Sequence, residues 1–338
     1  ALSHAEILDN EGNFYTDNLR KAKQYVEYIS NGRMSTYSPH FSFQGFRYIR
    51  LDEWPDNVKL EDVKAVVVHS DMKRTGYFES SNIFLNKLFA NTIWSQKGNF
   101  LDVPTDCPQR DERLGWTGDA QVFAKAASYN FDVKKFFTKW LADLSLSQGA
   151  NGAVPVVIPI RYSYTGVSSA WGDAATIIPF QMYLTYGDKK ILESQYESMV
   201  SWVDYIKNSS DNPYIWNNGN HYGDWLALDV PFGTYKGKTD INLISTAYYA
   251  NSVNILRKTS RILKKNQKVI SYYEKLYSNI IKAFNETFWQ NDKLLTDTQT
   301  AYVLALHFHL LYEDRINTAV LNLVRKLHEF NDKISTGF

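Results

Sequence analysis

From Phe78 to the end of the chain, apolar residues recur at the three- and four-residue spacing of helix faces, one stripe after another. Leu85, Leu88, Phe89 and Ile93 form one stripe, and Leu192, Tyr196, Met199 and Val203 form the next clear one. Ile241, Ile244, Tyr248, Ile255 and Ile262 are followed by Val269, Tyr273, Leu276, Ile280 and Phe284. Ala301, Leu304, Ala305 and Phe308 come next, then Ile316, Val320, Leu323 and Leu327. Each stripe must bury its face against a neighbour, so the pattern predicts roughly nine helices of about 12 to 25 residues in antiparallel pairs, a mainly α fold. No sequence repeat accompanies them.

The first seventy or so residues read differently. Gln24 to Ile29, Phe41 to Arg50 and Val63 to Ser70 are rich in β-branched and aromatic residues, separated by Gly, Asn, Pro and Asp, and are expected to be strands. Three or four strands make a poor independent domain. Residues 1–75 are therefore expected to be the closing part of a β-sandwich and residues 76–338 the larger part of a helical domain.

Positive and negative side chains nearly cancel, at a formal net charge of +1, and no block of like charge stands out. That leaves no electrostatic footprint for nucleic acid or an anionic membrane, and a neutral, polar partner fits better. Cys107 is the only cysteine, which excludes an internal disulfide. No run approaches the roughly 20 apolar residues of a membrane helix. Residues from Ala1 to Asn18 lack the layout of a leader peptide, so a cytoplasmic setting is the default expectation, any leader lying upstream. Aromatic residues reach 15%, which suits either a large aromatic core or a surface that stacks on rings.

Three stretches between helices, Leu101 to Gly118, Gly149 to Ser169 and Asn208 to Lys238, are long and rich in Gly, Pro, Asn, Trp and Asp. Loops of that length in compact domains are usually functional or disordered, and the aromatic content argues against disorder. The first continues into the densest cluster of reactive side chains: Asp106, Arg110, Asp111, Glu112, Arg113, Trp116 and Asp119, set among Pro and Gly. Such a segment can aim several carboxylates into one cleft. Cleaving a glycosidic bond needs a protonated carboxyl at the leaving oxygen and a second carboxylate on the opposite face. The plainer reading is a solvated loop whose arginines pair with its own acids, with Asp119 capping a helix that begins near Ala120.

The string Asn99-Phe-Leu-Asp-Val-Pro-Thr-Asp-Cys-Pro-Gln-Arg-Asp-Glu-Arg-Leu-Gly-Trp-Thr-Gly-Asp119 closely resembles the signature of family 78 glycoside hydrolases, the bacterial α-L-rhamnosidases. The similarity continues in His40 to Tyr48, Ser169 to Asp173, Tyr222 to Asp229, Asp297 to Tyr302 and the closing Ser335-Thr-Gly-Phe338. The resemblance implies a six-hairpin α/α barrel, incomplete here, preceded by a β-sandwich, and hydrolysis that inverts the anomeric centre. It implies Glu112 as general acid, with Asp106, Asp119 and Trp116 lining a rhamnose pocket. It also places Trp171 and Trp225 as pocket walls, where indoles would cover the methyl group and apolar faces of the sugar.

One departure stands out. The family's general base is a glutamate in a segment resembling Gly-Ala-Thr-Thr-x-Trp-Glu, which does not occur in this sequence. A full barrel also needs about twelve helices. The expectation is a truncated chain whose base lies downstream and whose own hydrolysis is negligible; Asp173 and Asp224 are the weaker substitutes.

Other signals carry less. Gly233 to Thr239 is one residue short of a phosphate loop and reads as an ordinary loop before a helix. His307 and His309 point to different helix faces, so no metal site is expected. Asn208-Ser-Ser and Asn285-Glu-Thr match the glycosylation triplet, which arises often by chance. The expected activity is an inverting exo-glycosidase acting on a rhamnose-containing glycoside, without cofactor. The competing readings are another six-hairpin carbohydrate enzyme, such as a lyase, and a non-catalytic sugar-binding protein.

Overall fold

The computed structural model describes residues 1–54, 58–161 and 166–338. In the N-terminal part, β1 (Leu2–Ala5) is the centre of a three-stranded antiparallel sheet, flanked by β4 (Tyr25–Val26) and β5 (Tyr48–Leu51). The β1–β5 register runs from Leu2 opposite Leu51 to Ala5 opposite Tyr48. Between them β2 (Ile7–Leu8) and β3 (Phe14–Tyr15) form a small hairpin. The predicted strands Gln24 to Ile29 and Phe41 to Arg50 shrink to β4 and β5, and Val63 to Ser70 forms none among the described residues. Val66, Val67 and Val68 are 78%, 55% and 52% exposed, so β-branched propensity without a paired neighbour yields extended chain rather than a strand. The central strand Leu2–Ala5 was missing from the sequence reading, because four residues show too little alternation to register.

Nine α-helices follow among the described residues: α1 (Ile83–Asn99), α2 (Thr117–Asn130), α3 (Lys134–Ser147), α4 (Ala174–Tyr186), α5 (Lys189–Asn208), α6 (Ile241–Ile262), α7 (Gln267–Phe288), α8 (Gln299–His307) and α9 (Glu313–Glu329). Two-residue strands β6 (Phe100–Leu101) with β7 (Val103–Pro104), and β8 (Trp289–Gln290) with β9 (Lys293–Leu294), make tight hairpins between helices. Side-chain caps start several helices: Asn82 accepts from Phe84 N–H, Asp240 from Leu243 N–H and Asn266 from Val269 N–H. Gly187, left-handed, closes α4.

The helices pack in two layers. α2, α4, α6 and α8 neighbour one another in series, while α5, α7 and α9 pair with the inner helix before each. The inner helices are closed in on several sides, and α6 buries small and polar residues such as Ser245, Thr246, Ala247, Ala250 and Ser252 next to Leu243 and Val253. That is why α2 and α4 lack a single apolar stripe in the sequence. The outer helices are amphipathic: α5 turns Leu192, Tyr196, Met199 and Val203 inward and α7 buries Tyr273, Leu276, Ile280 and Phe284. Trp140, Trp202, Trp216, Tyr249 and Tyr302 fill the space between layers with almost no exposure. Truncating such a side chain costs about 3–5 kcal/mol.

At the two ends of the series the stripes are only partly covered. Leu85 and Leu88 on α1 are 46% and 61% exposed, and Ile316 and Val320 on α9 are 41% and 43% exposed. Phe89 and Ile93 of the first stripe and Leu323 of the last pack on the core, while those four residues are left open by the described residues. Asn285 of the second glycosylation triplet is buried, its amide donating to Ile281 O and Leu310 O, so it is a packing residue. No described helix is long and apolar enough to cross a membrane.

Candidate active site

The predicted site residues lie on the segments that lead into inner helices. Asp106 to Leu114 is irregular chain pinched at its base, where Asp106 N–H donates to Leu114 O at 3.1 Å and Leu114 N–H donates to Asp106 Oδ1 at 2.8 Å. Arg113 is left-handed at φ 43°, a strained setting for a residue with a β-carbon, and its N–H donates to Cys107 Sγ. Arg110 bridges two acids: its Nη2 donates to Asp106 Oδ2 at 3.4 Å and its Nε to Glu112 Oε2 at 3.1 Å. Helix α2 begins at Thr117, not near Ala120. Trp116 occupies the capping position without a side-chain bond, and Asp119 lies inside the first turn, so the reading of Asp119 as a cap is corrected.

The electrostatics tie these groups together. Burial pushes the Asp106 carboxyl above its ordinary range against the hydrogen bonds from Cys107 and Leu114. Burial, with the negative charge of Asp106 next, pushes Asp119 up to about 6. Burial and the Asp106 carboxylate push the Cys107 thiol up to about 11, which removes it as a nucleophile. Asp111, by contrast, turns away, 3.6 Å from Arg20 Nη1.

The N-terminal β-region grips the acid loop from outside, through contacts that leave no local mark in the sequence. Gln109 Nε2 donates to Glu6 Oε2 at 2.8 Å, and Gln24 Nε2 donates to Gln109 O. Arg113 Nη1 donates to Phe43 O at 3.1 Å while its guanidinium lies 4.8 Å from the Phe43 ring centre. Gly45 abuts Pro108, where a β-carbon would come within 2.8 Å of the Pro108 carbonyl. Arg20 Nη1 reaches Glu112 Oε2 at 3.3 Å.

The three predicted tryptophans meet around a residue not singled out, Tyr222. Its ring centre lies 6.3 Å from Trp116, 4.7 Å from Trp171 and 5.5 Å from Trp225. Only its place at the head of the Tyr222 to Asp229 segment hinted at it. Leu114, Trp116, Tyr222, Trp225 and Tyr248 pack against Val156, Val157, Ala170 and Trp171, so the aromatic wall begins where the acid loop ends. Thr117 N–H donates to Val156 O and Ile158 N–H to Gly115 O, which fixes the start of α2 against the 154–158 segment. Ser169 N–H donates to His221 Nδ1, Tyr222 N–H donates to Ser168 Oγ, and burial drives His221 down to about 4 so that it stays neutral. Trp225 stacks on Tyr235 at 5.2 Å, and the next residue, Leu226, is left-handed at φ 61°. A cavity of about 280 Å³ opens beside Tyr222 and Trp225, lined also by Asn220, His221 and Lys236.

Both aspartates offered as substitute bases have structural duties. Asp173 is fully buried and accepts from Trp202 Nε1 at 3.0 Å, Ser252 Oγ at 2.6 Å and Ala170 N–H at 2.8 Å. Asp224, 3% exposed, accepts from Thr300 Oγ1 at 2.6 Å and Gly337 N–H at 2.8 Å. Every carboxylate oxygen of the two thus already accepts at least one hydrogen bond from the protein. No group of three or more His, Cys, Asp or Glu among the described residues is arranged to hold a metal ion.

On the layered helical hairpins a cluster of carboxyls, with Asp106 and Asp119 held above their ordinary range by burial, meets a wall of four aromatic rings, an arrangement in which rings can cover apolar faces of a ligand and acids can take its hydroxyls. Residues 73–338 match the bacterial alpha-L-rhamnosidase six-hairpin glycosidase domain, and residues 1–69 match the bacterial alpha-L-rhamnosidase concanavalin-like domain. The chain belongs to the bacterial α-L-rhamnosidase family. It is 42% identical over its whole length to an alpha-L-rhamnosidase of Formosa agariphila, covering 37% of that protein. Its fold superposes with a TM-score of 0.92 on the Streptomyces avermitilis alpha-L-rhamnosidase complexed with L-rhamnose, at 37% identity over 99% of this chain and 32% of that one. The enzyme from Dictyoglumus thermophilum gives 0.93 at 34% identity, over 99% of this chain and 38% of that one. The chain thus spans about a third of the length of these relatives.

Proposed function

We propose that the protein carrying this chain is an inverting exo-glycosidase that releases terminal α-L-rhamnose from a rhamnose-containing glycoside or oligosaccharide. The observation that carries this reading is the junction of the Asp106–Glu112–Asp119 acid cluster with the Trp116–Trp171–Tyr222–Trp225 wall. The relatives' names point to the sugar. In this reading Glu112 protonates the leaving oxygen as the bond to the anomeric carbon breaks. Asp106 and Asp119 hold hydroxyls and favour the positive charge that develops on the ring. The three tryptophans and Tyr222 cover the deoxy sugar's apolar faces. Water attacks the opposite face, activated by a carboxylate outside this sequence, since Asp173 and Asp224 are both engaged. No cofactor enters the scheme. The division at residues 75 and 76 separates a supporting β-region from the domain that carries the chemistry.

The test is release of p-nitrophenol from p-nitrophenyl α-L-rhamnoside by the full-length gene product, Glu112→Gln and this chain alone, with the anomer of the first product followed by NMR. Cleavage by the full-length protein alone, with inversion, supports the reading; activity only on another glycoside removes the sugar assignment. A second reading has one observation in its favour: burial and the neighbouring Asp106 charge push the Asp119 carboxyl up to about 6, toward the protonated form an acid needs. If Asp119→Asn loses activity mainly on substrates with poor leaving groups and Glu112→Gln does not, Asp119 is the acid.

A further inference from the structure

Glu112 is held by cations from two parts of the chain, and both reach the same oxygen. Arg110, two residues away, approaches Oε2 at 3.0 Å through Nη2 and 3.1 Å through Nε. Arg20, in the β-region, approaches Oε2 at 3.3 Å through Nη1. Oε1 accepts no hydrogen bond from any described residue. Arg20 is not a loose surface side chain at its root: it follows a 3-10 turn, Asp17–Leu19, whose Leu19 is 1% exposed. Its N–H donates to Asp17 O at 3.1 Å, and its backbone sits at φ 58°, a left-handed setting uncommon for a residue with a β-carbon. Local strain that aims one side chain at one acid is the kind of feature found at working sites.

The geometry points to Arg20 as a positioning residue for the general acid, supplied by the β-region: together with Arg110 it occupies Oε2 of Glu112 and leaves Oε1 as the oxygen that delivers the proton. This rests on the reading of Glu112 as the acid. Two guanidinium groups at one oxygen draw the negative charge of the carboxyl there, so the proton is carried on the other oxygen and the plane of the group is set. As the anomeric C–O bond breaks, its electron pair goes to the departing oxygen, which takes the proton from Oε1. Glu112 is left as a carboxylate with Oε2 still paired. Water adds to the anomeric carbon and gives its proton to the base carboxylate. Arg110 also bonds Asp106, so its removal disturbs the sugar-binding acids; among the described residues the Arg20 guanidinium pairs only with Asp111 and Glu112, so its removal bears on the acid more directly. The Arg20 side chain is 56% exposed, so the pair adds little to stability and its worth lies in orientation.

A misplaced acid matters only when the leaving group needs a proton. The experiment compares kcat/KM of the full-length gene product on 2,4-dinitrophenyl and 4-methoxyphenyl α-L-rhamnosides for wild type, Arg20→Ala, Arg20→Lys, Glu112→Gln and Arg33→Ala. Arg33 is exposed, and among the described residues its one hydrogen bond is from its backbone N–H to Asn31, so it controls for loss of an arginine from the same region. Arg20→Ala is expected to lose roughly tenfold more on the methoxyphenyl substrate than on the dinitrophenyl one, part of the about 10²–10⁴-fold that acid catalysis supplies. Glu112→Gln should show the same signature more strongly, Arg20→Lys should recover part of the loss, and Arg33→Ala should show none. Equal losses on both substrates, or no loss, overturn the role of Arg20. Should Asp119→Asn carry the leaving-group signature in place of Glu112→Gln, the acid is Asp119 and the inference falls with the assignment. A wild type inert on both rhamnosides instead removes the proposed function itself, and the inference with it.

Discussion

The indole of Trp171 lies on the α-carbon of Gly118: a β-carbon built there would stand 2.6 Å from Cε2 and 2.7 Å from Nε1 of the ring. The first turn of α2 cannot retreat, because Thr117 N–H and Oγ1 both donate to Val156 O. The indole must yield instead. Gly118→Ala is expected to weaken rhamnose binding about tenfold and to cost about 1–3 kcal/mol of stability through overpacking. Calorimetric titration with L-rhamnose and a thermal melt of the full-length protein check both; unchanged values in each would mean that the ring moves freely.

Asp173 joins three elements beneath that ring, taking the indole N–H of Trp202 on α5, the hydroxyl of Ser252 on α6 and the N–H of the left-handed Ala170. Asp173→Ala strands two buried donors, the Trp202 indole and the Ala170 N–H, each costing about 1–3 kcal/mol, while Ser252 can turn its hydroxyl to Thr176 Oγ1, 2.7 Å away. The expected total is about 3 kcal/mol or more, read from the denaturation midpoint, with Asp173→Asn losing less. A change below about 1 kcal/mol would show that the network repairs itself.

Asp119 makes stability depend on pH. Its carboxyl holds a proton more tightly in the folded chain, at about 6, than at the ordinary 3.8 of the unfolded one. Its contribution is therefore greatest below pH 3.8 and is lost as pH rises toward 6. Asp119→Asn, uncharged throughout, should gain on wild type across that window and hold a constant advantage above it, at most about 3 kcal/mol. Melting temperatures of both proteins from pH 4 to 7.5 give the difference; a flat difference would show that Asp119 is not buried against its neighbours.

Thr300 on α8 gives its hydroxyl hydrogen to Asp224, next to Trp225 in the chain. Thr300→Val keeps the shape and removes the donor, leaving Asp224 Oδ2 without that bond. A loss of about 1–2 kcal/mol is expected. A shift of the tryptophan emission should accompany it if the Trp225 segment loosens. An emission spectrum identical to wild type would place the anchor of that segment at Gly337 alone.

The outer helices and the acid motif were legible in the sequence because each is written in contiguous residues. The stripe of α7 and the string from Asn99 to Asp119 need no knowledge of what lies across from them. The inner helices α2 and α4 were harder to see, since burial on several sides erases the one-sided pattern that marks α5. Tyr222 escaped notice because its role comes from meeting Trp116 and Trp171, more than fifty residues upstream. The contacts of Glu6 and Arg20 with the acid loop span 103 and 92 residues and leave no local mark. Val63 to Ser70 failed in the opposite way, its composition describing a strand that finds no described neighbour to pair with.

The grip of Glu6, Arg20, Gln24 and Phe43 on the 106–113 loop limits how this protein can be taken apart. A chimera that transplants residues 73–338 behind a foreign domain would carry every letter of the acid motif. Yet it would leave Gln109 without two of its partners and Glu112 with one guanidinium in place of two. The working unit for recombination or shuffling is therefore longer than the domain that bears the chemistry, and a useful graft would begin no later than the strand at Leu2.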